Sequence, residues 1–270
     1  MRGKSRLKLK SMPKKLIILA VSTIILSNCL AQGKLSVGFD LVSRNERRSY
    51  NDPKGYLHRQ YTPLFAIGGS LNYTLNEKWE IETGIYNTSF RQTISAYYKE
   101  PGFIPLSRTG WQVNGLKTLI IPFRGIYNFD LRWKSISFAA VAGINLYNLT
   151  GSLDSRGEAG LSAIPVYPTP PTNLMIYYES YPVRKNSLAL EYGGEVRLPI
   201  SNRLFFIYRF TVINGTKEMH RMEGYYETDN PRMRYDFEVS SKGSSIHNTF
   251  SIRYRLGKKK EKDNWWECED

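Results

Sequence analysis

Apolar side chains recur at every second position in eight separate stretches of this chain, and that repetition constrains the fold more than any other feature. Leu35, Val37, Phe39 and Leu41 form the first row, and Phe65, Ile67, Gly69, Leu71, Tyr73 and Leu75 the second. Trp79, Ile81, Thr83 and Ile85 form the third, Leu119, Ile121, Phe123, Gly125 and Tyr127 the fourth, and Ile136, Phe138, Ala140, Ala142, Ile144 and Leu146 the fifth. Leu188, Leu190, Tyr192, Gly194, Val196 and Leu198 follow, then Leu204, Phe206, Tyr208, Phe210 and Val212, and finally Phe250, Ile252, Tyr254 and Leu256. A period of two belongs to a strand with one apolar face, because a helix would repeat near 3.6. Most stretches run for about 9 to 12 residues, the length of a tilted strand that crosses a bilayer.

The connections alternate in length. Asn76-Glu77-Lys78, a short turn near Asp130 and Ser201-Asn202 are brief, whereas 44–63, 92–115, 150–186 and 215–244 are long. In an up-and-down barrel this order gathers every short turn at one end and every long connection at the other. An even strand count brings both ends of the barrel to the short-turn side, expected to face the periplasm. Residues 233–239 alternate again after Asp229-Asn230-Pro231, but Lys217 to Thr228 shows no apolar face. We read this arm as a hairpin standing above the membrane, with strands seven and eight extended outward and ten strands as the alternative. Leu174 to Tyr181 reads as an extension of strand six, and the four prolines of 165–171 bar regular pairing there.

The second face of the same strands carries Asp40, Glu80, Glu82, Arg124, Glu191, Glu195, Arg197, Arg209, Arg253 and Arg255. A soluble, lipocalin-like barrel binding a small apolar ligand would turn the apolar face inward. A membrane barrel inverts this, and an eight-stranded one is narrow enough for side chains to fill it. The expected fold is therefore all-β, a single antiparallel up-and-down transmembrane barrel of about eight strands. The ten charged residues are expected to pair as a lumen network. Trp79, Tyr73, Tyr127, Trp133 and Tyr254 lie near strand ends, where interfacial girdles form.

The N-terminus supports export. Lys14 and Lys15 precede the uncharged run Leu16 to Leu26, and Ser27-Asn28-Cys29-Leu30-Ala31-Gln32 supplies a small-residue cleavage site after Ala31. Residues 1–31 read as a signal peptide, 32–257 as the barrel and 258–270 as a charged tail. Leu26-Ser27-Asn28-Cys29 also resembles a lipidation site with Cys29 as the modified residue, although Asn28 is unusual there. Seven of the 38 basic residues precede Ala31 and none of the 24 acidic ones does, which leaves an excess of seven positive charges on the mature chain. The high overall charge is thus partly a targeting signal and is weak support for nucleic-acid binding. No second long apolar stretch exists, which excludes a helical membrane protein. With Cys268 the single mature cysteine, disulfide frameworks and zinc spacings both fail, and no cofactor is expected.

Leu119-Ile120-Ile121-Pro122-Phe123-Arg124-Gly125-Ile126-Tyr127, Ala142-Gly143-Ile144-Asn145, Glu191-Tyr192-Gly193-Gly194-Glu195 and the signal end Ala31-Gln32 together resemble the small outer-membrane β-barrel family of Bacteroidota, the PorT-like proteins. The resemblance covers nearly the whole mature chain through individually weak motifs. It implies an outer-membrane barrel and supplies no catalytic residues. The basic run Lys258 to Lys262 and the end Trp265-Trp266-Glu267-Cys268-Glu269-Asp270 depart from barrels that stop at a terminal aromatic.

Outer-membrane lipid hydrolases use Ser and His with an acid partner. The histidines here are His58, His220 and His247, with Ser251 four residues beyond the last. Positions four apart on one strand lie about 13 Å apart, so that pair cannot hydrogen-bond. No phosphate-binding loop follows a strand. Arg44, Arg47, Arg48, Lys54 and Arg59 offer a basic cluster for lipopolysaccharide phosphates, with a solvated loop as the plainer reading. The expected function is non-enzymatic, as a structural or partner-binding part of the envelope. A lipid-modifying hydrolase is the alternative.

Overall fold

The structure is a computed structural model. It describes residues 34–59, 63–98, 100–104, 106–133, 135–150, 155–166, 169, 172–229 and 232–257. The expected signal peptide and charged tail lie outside the described residues, as does the lipidation candidate Cys29. Fifteen strands follow one another among the described residues: β1 (Leu35–Glu46), β2 (Ser49–Asn51), β3 (Leu57–Arg59), β4 (Leu64–Thr74), β5 (Trp79–Tyr98), β6 (Phe103–Ile104), β7 (Leu106–Trp133), β8 (Ile136–Leu149), β9 (Ser155–Pro165), β10 (Thr172–Pro182), β11 (Asn186–Pro199), β12 (Leu204–Gly215), β13 (His220–Asp229), β14 (Arg232–Ser241) and β15 (Ser245–Arg255).

Eight of them close a barrel in the order β1-β4-β5-β7-β8-β11-β12-β15, and β15 returns to β1 with Ser36 opposite Arg255 and Glu46 opposite Ser245. Every pairing in the ring is antiparallel. Eight strands, not ten, thus form the wall. The short turns lie at one end. Asn76 fixes the first, its side-chain oxygen accepting from the backbone N–H groups of Lys78 (2.9 Å) and Trp79 (2.8 Å). Ser201 does the same for the third by accepting from Leu204 N at 3.2 Å.

The alternation orients the wall as the sequence pattern requires. Phe39, Ile67, Ile81, Ile85, Phe123, Leu190 and Ile252 face outward and are exposed. The outward row on β11 runs from Leu188 to Leu198, roughly 33 Å of strand, or about 24 Å of membrane at a tilt of about 45°. Trp79 meets Tyr127 edge-on at 5.0 Å at the turn end. Asn87, Asn148, Asn186 and Asn214 border the apolar belt at the opposite end, where Asn148 donates to Asn186 at 2.6 Å.

Small residues on the lumen face let so narrow a ring close. A Cβ on Gly68 would meet the Tyr86 ring at 2.3 Å, so the ring lies directly on that glycine. A Cβ on Gly193 would stand 2.0 Å from the Phe210 carbonyl oxygen.

Among the described residues the long connections are rich in strands, and six of these build a second antiparallel sheet, β2-β14-β13-β10-β9-β6, which we call the cap. This corrects two expectations. The 217–240 arm is a hairpin above the barrel, but β12 ends at Gly215 and β15 begins at Ser245, so strands seven and eight do not continue into it. Residues 174–181 do not extend strand six; they belong to β10, which pairs with β9 and β13. The one pair of barrel strands that does extend is β5 and β7, whose ladder runs from Trp79 opposite Tyr127 to Tyr98 opposite Leu106 through two register shifts.

The cap has its own core. Leu174, Ile176, Met222, Tyr226, Phe237 and Val239 from the cap sheet pack on Ala96 and Tyr98 of β5 and on Tyr56 and Leu57. The turn carrying Tyr56 is pinned by Asp52, which accepts from Tyr226 Oη (2.7 Å) and from Leu57 N (2.6 Å). Burial pushes the Tyr56 and Tyr226 hydroxyls above their ordinary pKa, reinforced by Glu100 and Asp52 respectively.

Candidate functional site

The lumen brings the sequence-selected charges together in layers. Glu82, on β5, lies at the centre. It accepts from Arg209 on β12 at 2.6 and 2.9 Å, from Arg124 on β7 at 2.8 Å, and from Arg253 on β15. Glu195 binds Arg209 at 2.7 Å and also pairs with Arg197. Arg197 reaches across to Glu80 at 2.6 and 3.0 Å, and Glu80 also accepts from Asn72 and Asn128, each at 2.9 Å. Arg124 donates through Nε to Glu191 at 2.8 Å, and Asn145 donates to the same oxygen at 2.9 Å. Asp40 joins through Tyr86, which donates to it at 2.7 Å and accepts from Arg124 at 3.0 Å. Arg255 is half-buried at the turn end, its guanidinium 5.1 Å from the centroid of Phe205.

Above this layer an apolar cluster forms, with Arg44 buried against it over the Tyr147 ring. Val42, Ala66, Leu116, Ile120, Tyr147, Leu149, Ala189 and Ile213 converge, and Met219 from the β12–β13 connection is buried among them. The backbone N–H of Met219 donates to Ser241 O (2.8 Å), and Val183 N donates to Met219 O (2.8 Å). Charged side chains thus fill the middle of the barrel, and a largely apolar plug that also holds Arg44 and His247 fills its cap end. Opposite charges in a dry interior hold one another in place, since each would leave an uncompensated charge if its partner were lost.

The histidines do not sit where a hydrolase needs them. His58 is exposed and lies 5.4 Å from the Tyr97 ring. His220 Nε2 is 2.9 Å from Ser180 Oγ, and His247 Nε2 is 2.9 Å from Ser245 Oγ. Ser245 and His247 stand two residues apart on one strand and so share a face, a signal the sequence offered. Ser180 and His220 lie 40 residues apart and meet only across the β10–β13 ladder, which no local spacing reveals. All four side chains are at most 5 % exposed. Burial lowers the His220 pKa to about 4, against an opposing pull from Glu46.

The basic cluster of the first connection is dispersed. Arg44 is buried over the Tyr147 ring, Arg48 binds Glu46 at 3.4 Å, and Lys54 lies 3.6 Å from Glu100. Arg47 is exposed. The Arg59 side chain lies outside the described residues, and the other four present no shared phosphate-facing patch. Among the described residues, no group of three or more His, Cys, Asp or Glu stands where it could hold a metal ion.

The cap carries a feature that sequence reasoning missed. The face of the sheet turned away from its core is concave and forms a groove of about 1020 Å³. Glu158, Glu179, Glu223, Asp236 and Glu238 line it, together with Arg156, Arg234, Asn51, Tyr177 and Tyr225. Tyr177 and Tyr225 are cross-strand partners and stack with centroids 4.9 Å apart.

Fold and interior define a closed eight-stranded β-barrel with an apolar outer belt, a sealed lumen and a folded cap. No family model and no curated protein matches the chain. Among solved structures the chain is similar to the outer membrane protein OprG from Pseudomonas aeruginosa, at 9% identity over 84% of this chain and 98% of that one, with a TM-score of 0.48. It is also similar to Neisserial surface protein A, at 11% identity over 82% and 97%, with a TM-score of 0.42. A third likeness is to the outer membrane protease OmpT from Escherichia coli, at 11% identity over 82% and 96%, with a TM-score of 0.35. The barrel assignment rests on the closed strand order.

Proposed function

We propose that this protein is a non-enzymatic β-barrel of the bacterial outer membrane that displays its cap outside the cell as a partner-binding or structural element of the envelope. One observation carries the reading: the wall exposes a belt of large apolar side chains while its interior holds paired charges. Phe39 is 60% exposed and Ile67 55%, while Glu82 and Arg209 are at most 3%. Only a lipid surround makes that inversion favourable. In this orientation the short turns and both barrel ends face the periplasm. The finer affiliation with the PorT-like barrels of Bacteroidota draws its support from the sequence segments around Pro122, Gly143 and Gly193.

A hydrolase acting on envelope lipids is the competing reading, and the Ser180–His220 and Ser245–His247 contacts are what favour it. Both serines are buried, so an acyl ester has no path to either. Contact with lipopolysaccharide is expected through the belt rather than through the dispersed cluster at Arg44 and Arg48. The direct test is membrane fractionation combined with electrophoresis before and after boiling. A folded barrel enters the outer-membrane fraction and migrates differently once boiled. A purely soluble periplasmic fraction would remove the proposal.

A further inference from the structure

The row of side chains crossing the middle of the cap groove reads Glu158, Tyr177, Tyr225, Asp236, each opposite the next on neighbouring strands. It is close to symmetric, with two stacked tyrosines inside and a carboxylate at each end. At the Asp236 end the chain fills the position itself. The Arg234 guanidinium lies 3.5 Å from the centroid of Tyr225, and its Nε is 3.5 Å from Asp236 Oδ1. At the Glu158 end nothing equivalent exists. Among the described residues no cation lies over Tyr177 and none pairs with Glu158, because the nearby Arg156 turns to Glu179 at 2.9 Å. Tyr177 and Glu158 both line the groove.

We propose that the slot between Tyr177 and Glu158 binds the guanidinium of an arginine from a basic polypeptide partner. The filled slot shows the chemistry that the empty one matches: a planar cation stacked on a tyrosine and held at its edge by a carboxylate. The lining of the groove adds to the attraction, with five carboxylates against Arg156 and Arg234 in the lining and Arg221 beside Glu223 and Glu238. The Arg156–Glu179 pair on this face is solvent-exposed, with Arg156 80% exposed, so a partner's arginine can exchange into it at little cost. A phosphorylated or otherwise anionic ligand meets the wrong charge here. This inference names the partner chemistry of the cap and rests on the cap being the partner-binding part of the protein. Membrane insertion without peptide binding would therefore defeat this inference alone.

The test is titration of full-length protein, folded in detergent micelles, with hexa-arginine. Hexa-arginine is expected to bind at one site per chain and to weaken as salt rises. Glu158→Gln and Tyr177→Leu are each expected to weaken it at least tenfold. Glu158 is exposed, so its substitution leaves the cap folded, and the melting curve of each variant checks this. Arg234→Ala empties the second slot and is expected to add a second equivalent site. Arg232→Ala removes the same charge away from the ring and is expected to leave the stoichiometry at one. Absence of binding, binding indifferent to both Glu158→Gln and Tyr177→Leu, or equal effects of Arg234→Ala and Arg232→Ala would overturn the proposal. So would capture of a neutral oligosaccharide at Tyr177 in place of hexa-arginine.

Discussion

Arg209 holds Glu82 through both terminal nitrogens, at 2.6 and 2.9 Å, from strands that stand opposite one another in the eight-membered ring. The pair spans the lumen like a cross-tie, and Arg124 and Arg253 converge on the same carboxylate. Removing that one negative charge leaves three guanidiniums facing each other in a dry space. Glu82→Gln is expected to destabilise the barrel by about 3–5 kcal/mol, the cost of breaking a buried ionic cluster. Urea unfolding in detergent micelles, followed by tryptophan fluorescence, measures it. A loss below about 1 kcal/mol would mean that water reaches the cluster.

The belt makes an opposite demand on the outer face. Phe39→Arg places a charge in the middle of the outward row and is expected to cost about 2–4 kcal/mol in a lipid bilayer. Asn87→Arg, at the border, is expected to cost about 0–1 kcal/mol. Both are read from folding equilibria in lipid vesicles. In a water-soluble barrel, Phe39→Arg would be neutral or favourable, so the difference between the two sites reports the surroundings directly.

The cap is expected to be acid-sensitive through His220. The folded cap holds its imidazole neutral down to about pH 4, whereas the unfolded chain takes up that proton near 6.5. Between those values the unfolded state binds more protons, so stability falls as pH drops from about 6.5 to 4. The full loss amounts to ~3 kcal/mol. Ser180 touches the ring, and Glu46, Arg48 and Glu218 set its local field. Hydrogen exchange of cap amides at pH 7, 5.5 and 4 should show progressive loss of protection, and His220→Gln should flatten the trend. Equal slopes in both proteins would assign the acid response elsewhere.

The filled lumen predicts electrical silence. Planar bilayer recordings of the purified protein are expected to show no discrete conductance steps, because charged side chains occupy the centre and Met219 closes the cap end. Reproducible steps would mean that the plug around Met219 moves aside.

The barrel wall was legible because its surroundings impose a two-residue period, and each of the eight rows kept its parity in three dimensions. The identity of the charged residues was legible for the same reason. Their partners were not. Glu80 meets Arg197 across 117 positions of sequence, and which of several arginines it meets depends on the tilt and closure of the ring. The cap was missed because its inward face is not uniformly apolar. On β13 the buried parity reads His220, Met222, Gly224, Tyr226 and Thr228, so polar and small residues interrupt the period. Its core borrows Ala96 and Tyr98 from a barrel strand, which no local window reveals. The Tyr177–Tyr225 stack escaped for the same reason, since it joins two strands of a sheet that had not been recognised as one.

The ladder that β5 and β7 carry from Trp79 to Tyr98 continues, through two register shifts, from the wall to the core beneath the cap sheet. A lid hangs from flexible segments and swings. This cap instead stands on a doubled backbone rooted in the barrel, more mast than flap. Its groove must then keep a fixed bearing relative to the membrane plane, so whatever docks there arrives at a set angle and height, and any pull on the docked partner is borne by the barrel wall.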